Sequence, residues 1–146
     1  MICVGGEKMI IFQYKDKGTY LPEWTRISIF DNKNENVRIE EGSIFSKDDK
    51  TVKFYTIPDE SIQSIIKLIS DAKYLFDQIP LKESKEIIFD GSINNIKFSV
   101  EGKKASFKGD NLLLRYEGFS ECSKEKELVR ICNGIFDILK KNNIEW

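Results

Sequence analysis

Apolar and polar residues alternate with a period of two through the first third of the chain, and that spacing predicts strands. Lys8–Tyr14 is an apolar run with aromatic residues. Trp24–Phe30 sets Thr25, Ile27 and Ile29 on one side and Trp24, Arg26 and Ser28 on the other, the pattern of a half-buried strand. Gly18 and Pro22 separate these runs, and Asp31-Asn32-Lys33-Asn34 supplies a turn of residues that bond their own backbone or tolerate its left-handed form. Val37 and Ile39 alternate with Arg38 and Glu40 in a third strand. In a fourth, after the polar turn Ser46–Lys50, Val52, Phe54 and Thr56 take the inward side and Lys53 and Tyr55 the outward side.

The period then changes. Ile62, Ile65, Ile66 and Ile69 recur at helical spacing behind Pro58 and the acidic pair Asp59-Glu60, which suit a helix start. Tyr74, Leu75 and Phe76 extend the apolar pattern until Pro80 stops it, so the helix is expected over about 59–76. Strands return with Glu86–Phe89, which ends at Asp90-Gly91, a turn signal. Ile96, Phe98 and Val100 follow, then Ala105 and Phe107 beyond Gly102, then Leu112, Leu114 and Tyr116 beyond Gly109. Four strands with such short turns predict an antiparallel meander. The chain closes with a helix over about 123–142. Ser123 is its N-cap, Glu125 and Glu127 lie in its first turns, and Leu128, Cys132, Ile135, Phe136 and Leu139 form its apolar stripe. The expected class is α+β: a mostly antiparallel sheet of about 6–8 strands with two main helices on one face.

Length supports a single domain over residues 1–146. Such a chain buries roughly 68–70% of its unfolded surface and is stable without a metal or a disulfide. Three cysteines, Cys3, Cys122 and Cys132, give an odd count and no C-x-x-C spacing, so neither a secreted disulfide framework nor a zinc site is expected. The first residues carry no signal-peptide pattern, and no run reaches the ~18 apolar residues of a membrane span, so the expected location is cytoplasmic, with no membrane partner. Net charge is −1 and the isoelectric point near 5.7. A nucleic-acid binder usually carries a basic excess, so direct nucleic-acid binding is not expected on this ground. Abundant isoleucine, lysine and asparagine suit AT-rich coding, as in a low-GC bacterium or its phage.

The chain contains no histidine. That removes Ser-His-Asp and Cys-His pairings and the usual mixed zinc sites, and leaves carboxylate, lysine and metal–carboxylate chemistry. The sharpest enzymatic pattern is Asp90 followed by Glu101-Gly102-Lys103. An acidic residue and a Glu-x-Lys resembles the core of the restriction-type nucleases. That resemblance implies two carboxylates, Asp90 and Glu101, on a divalent ion and Lys103 polarising a water. Acid-x-Lys also stands at Asp31, Asp48, Asp71 and Glu83, so a divalent-metal phosphodiesterase is the alternative and not the main reading.

Other features favour bland roles. Lys97, Lys104, Lys108 and Arg115 read as a solvated outer face of the meander. Cys132 falls on an apolar stripe, where a thiol acts as a small hydrophobe. Glu40 and Glu41 point to opposite faces, Asp48-Asp49 lacks a calcium-loop pattern, and Gly5-Gly6 is no phosphate loop. Trp24, Tyr55 and Trp146 fall off the expected core faces and are the protein-interface candidates. The expectation is a non-catalytic, cofactor-free protein that binds another protein. Within that class the reading favours a stoichiometric inhibitor, or an immunity or anti-defence protein of bacterial or phage origin. A subunit of a larger structural assembly is the third reading.

Overall fold

In a computed structural model of the chain, residues 9–83 and 91–146 are described, apart from the side chain of Lys47. Cys3, Gly5-Gly6, Lys8, Glu86–Phe89 and Asp90, all singled out above, lie outside the described residues.

Among the described residues six strands form one sheet: β1 Ile10–Gly18, β2 Glu23–Phe30, β3 Val37–Ser43, β4 Ser46–Tyr55, β5 Ser92–Val100 and β6 Lys103–Asp110. Their order is β4-β3-β2-β1-β5-β6, and every neighbouring pair is antiparallel. Cross-strand register aligns the apolar positions into rows. One row runs Ile39, Ile27, Tyr14, Ile96, Phe107, and the next runs Val37, Ile29, Phe12, Phe98, Ala105. Helices α1 (Asp59–Ser70) and α3 (Lys124–Lys141) cover this side, with the five-residue α2 (Leu112–Tyr116) beside them. Phe136 of α3 meets Tyr14 edge-on at 5.1 Å between ring centres and Phe12 at 6.2 Å. The α+β architecture and the two main helices on one face are as the periodicity implies.

Three local expectations fail, each for a physical reason. The helix expected to about residue 76 ends at Ser70. Beyond it, Glu127 of α3 accepts the backbone N–H groups of Lys73 (2.8 Å), Tyr74 (2.8 Å) and Leu75 (2.7 Å), so those donors are taken by a carboxylate and the helix stops. Lys124 continues the fastening through the carbonyls of Asp77 and Ile79 and the Asp77 carboxylate. One of the two acids expected in the first turns of α3 is therefore a buried clasp.

The second failure is Leu112–Tyr116, expected as a strand and found as α2. Asn111 adopts φ 49°, which breaks β6, and Asn94 then accepts the N–H of Leu112 at 2.8 Å. Leu112 and Tyr116, four apart, are buried while Leu114 is exposed, so the run has the helical period. Arg115 accordingly lies on α2 and not on a sheet face.

Third, β4 begins at Ser46, so the residues expected as the polar turn Ser46–Lys50 are already strand, the turn falls at Ile44-Phe45, and β4 is turned over. Tyr55 stands opposite Val37 and packs on the core, whereas Phe54 stands opposite Arg38 and Val52 opposite Glu40, on the other side. β4 is an edge strand with a register shift near Ser43, and one extra residue reverses every later side chain.

Candidate functional site on the open face of the sheet

The same register that builds the core fixes the opposite face. Val52, Glu40, Arg26, Lys15, Asn95 and Lys108 form one row across all six strands. Phe54, Arg38, Ser28, Gln13, Lys97 and Ser106 form the next. Gly42, Trp24, Lys17, Ile93 and Asp110 lie beyond the first, and Ser99 beside Lys104 beyond the second. With Lys50, placed here by its ion pair to Glu40, the face carries Lys15, Lys17, Arg26, Arg38, Lys50, Lys97, Lys104 and Lys108. Its paired rows hold two carboxylates, Glu40 and Asp110. A chain of net charge −1 thus carries a locally basic face.

Glu40 organises half of that face. It is 2% exposed, and Arg26 grips it with two hydrogen bonds, Nε to Oε1 at 2.9 Å and Nη2 to Oε2 at 2.8 Å. Lys50 Nζ donates to Oε2 at 2.9 Å, and Arg38 Nε lies 3.1 Å from Oε1. Burial pushes the Glu40 carboxyl up, but the bonds from Arg26 and Lys50 and the nearby Arg38 charge outweigh it and hold the group at about 2. Arg38 also covers the Phe30 ring at 5.1 Å.

Trp24, an interface candidate from the sequence, lies half-buried beside this clasp. Lys15 Nζ and the Arg26 guanidinium stand 5.0 and 5.5 Å from its ring. The indole lies against the backbone of Gly42, where a Cβ would come within 2.7 Å of the ring, so glycine is needed for that approach. A recess of about 330 Å³ opens here between Trp24, Lys15, Arg26, Lys50 and Ile44.

Next to the recess is an apolar tip that the alternation could not reveal. The β1–β2 loop carries Tyr20 (76% exposed) and Leu21 (63%), and the β3–β4 turn carries Ile44 (51%) and Phe45 (83%). The two segments are joined where the Ile44 N–H donates to the Pro22 carbonyl at 3.0 Å. Four large apolar side chains are therefore presented to solvent together. The sequence offers only the pair Tyr20-Leu21 between the first two expected strands and the pair Ile44-Phe45 just before the expected turn Ser46–Lys50.

The remaining candidates are dispersed. Tyr55 is on the core side, and Trp146 stacks on Phe136 at 5.5 Å with Lys140 above its ring. Glu101 (φ 50°) and Gly102 (φ 79°) form the tight turn between β5 and β6, with Lys103 opening β6. Gly91 precedes β5 and Glu101 follows it, about 30 Å apart at strand rise. Asp90 itself lies outside the described residues. Among the described residues no group of three carboxylate or cysteine side chains is placed to share a metal ion. Cys132 is fully buried, and burial raises its thiol far above the range of a reactive thiolate. Cys122 is exposed.

Among the described residues no helix is long and apolar enough to cross a membrane. No protein-family model matches the chain, and no curated protein matches it.

Proposed function

We propose that this protein acts by contact as a stoichiometric binding protein, an inhibitor or an immunity or anti-defence protein of bacterial or phage origin that sterically blocks a partner protein. The observation that carries the reading is the exposed tip of Tyr20, Leu21, Ile44 and Phe45, joined to the half-buried Trp24. Clustered apolar side chains left in water favour burial against another surface, and aromatic anchors dominate the energetics of such contacts. Lys15, Arg26 and Lys50 border the recess, so the complementary partner surface is apolar at its centre and acidic at its rim. The absence of histidine and the scattered carboxylates support contact over bond-making.

The test is affinity capture from the native host at physiological salt, run beside a Tyr20→Ser/Phe45→Ser variant. The expected result is one partner held in a 1:1 ratio by the wild-type protein and lost by the variant. Recovery of no such partner, or equal recovery by both proteins, overturns the reading.

A further inference from the structure

Cations on the open face fall into two groups that differ in what surrounds them. Arg26, Arg38 and Lys50 converge on Glu40, which offsets one of their three charges and holds their side chains in place. Lys97, Lys104 and Lys108, on β5 and β6, form no ion pair or hydrogen bond among the described residues, and Lys15 on β1 meets only the Trp24 ring. Lys97 and Lys104 border a shallow depression of about 510 Å³ with Gln13, Ser99, Ser106 and Ile10. At the usual spacings of ~4.8 Å between strands and ~6.7 Å between alternate residues, the four lysines form a lattice with neighbours roughly 7–10 Å apart.

We propose that the lysine field of Lys15, Lys97, Lys104 and Lys108 binds the sugar–phosphate backbone of a single-stranded nucleic acid. The composition of the field selects this ligand over an acidic protein. A protein interface is anchored by desolvated apolar and aromatic side chains and is depleted in lysine at its centre. Here lysines alternate with Gln13, Asn95, Ser99 and Ser106, the hydroxyl and amide side chains that join lysine on phosphate and sugar oxygens. The geometry selects a single strand over a duplex. The charges spread in two dimensions over β1, β5 and β6, a layout a flexible strand can follow by bending from one lysine to the next, which a stiff duplex resists. Aromatic rings for base stacking are missing from this half of the face, so binding is tolerant of sequence. Net charge does not oppose the proposal, because it averages over the whole molecule while counterions are released locally. The proposal does not rest on the protein-binding reading, which uses the tip and shares only Lys15 with this field.

Fluorescence anisotropy of a labelled 12-nucleotide single strand, titrated with the full-length protein, tests it. Four lysine–phosphate contacts predict a log–log salt slope of roughly −3, a loss of about 50-fold in affinity between 50 and 200 mM salt. A Lys97→Gln/Lys104→Gln/Lys108→Gln variant is expected to bind at least about tenfold more weakly at 50 mM salt and to lose only roughly threefold over the same salt range. A Tyr20→Ser/Phe45→Ser variant is expected to bind the strand like wild type, which separates this site from the tip. No binding at 50 mM salt, an unchanged triple variant whose fold is verified by circular dichroism, or tighter binding of a duplex of the same sequence each overturns the proposal. Displacement of the strand by polyglutamate of equal charge as readily as by unlabelled strand also overturns it, since the face would then be reading an acidic chain.

Discussion

The two halves of the open face carry three and five of its eight cations and use them differently. On β2, β3 and β4, Arg26, Arg38 and Lys50 surround one buried carboxylate, and Trp24 and Phe30 lie under the guanidinium groups. On β1, β5 and β6, the lysines stand over short polar side chains with no described counter-ion. The first half is an internal structure built from charge. The second is charge held out to solvent. The difference teaches that a count of cations on a face says little until their partners are known, because an arginine whose donors are held by a carboxylate and an unpaired lysine count equally while only the lysine has its donors free for a ligand.

Glu40→Gln is the strongest way to break the contrast. It removes the anion that three cations share and leaves them facing one another. Since those cations reach water, the expected loss is at the lower end for a broken buried pair, about 3 kcal/mol in urea unfolding. The pH dependence has a definite sign. The Glu40 carboxyl is depressed to about 2 in the folded protein, so its contribution is present above its unfolded value and is lost as pH falls from about 4.5 toward 2. A Gln variant is expected to show a flatter stability profile across that window. An unchanged midpoint and profile would mean the clasp is ornamental.

How much of this was legible beforehand divides along the same line. Alternation in Trp24–Phe30 and in Val37–Glu40 identified the core side of β2 and β3, and it placed Arg26 and Arg38 on the opposite side. It could not show that β1 lies between β2 and β5, and only that order joins Lys15 to Arg26 on one flank and to Lys97 and Lys108 on the other. Lys97, Lys104 and Lys108 were seen as one outward face, while Arg115 was wrongly added because Leu112–Tyr116 has apolar residues compatible with either period. Glu40 reads as an outward charge, and its burial depends on three long side chains closing over it, Arg26 and Lys50 from the neighbouring strands and Arg38 from its own. Apolar residues in the turns at Tyr20, Leu21, Ile44 and Phe45 break the rule that turns are polar, a departure the alternation of the strands does not flag.

A smaller effect is expected at the boundary between the halves. Gly42→Ala would bring a methyl group within 2.7 Å of the Trp24 ring, and the indole must shift off the backbone of β3. Overpacking of this kind costs about 1–2 kcal/mol. Because Trp24 sits under Lys15 and Arg26, the shift also changes indole fluorescence, and a Trp146→Phe background isolates the signal. A variant as stable as wild type with unaltered Trp24 emission would show that the stack is loose.

The smallest stability change belongs to the lysine field, and its smallness sharpens the comparison. With no described partner to lose, Lys97→Gln/Lys104→Gln/Lys108→Gln removes only mutual repulsion and solvated chain. Exposed substitutions of this kind fall within about 0.5 kcal/mol, and the sign here is stabilising at low salt. The gain is expected to vanish near 1 M salt, where the screening length of about 3 Å is shorter than the spacing between the lysines. Thermal melts of wild type and the triple variant at low and high salt check both sign and screening. A clear destabilisation would reveal that the lysines are already engaged within the fold, as Arg26 is, and would place both halves of the face in the same class.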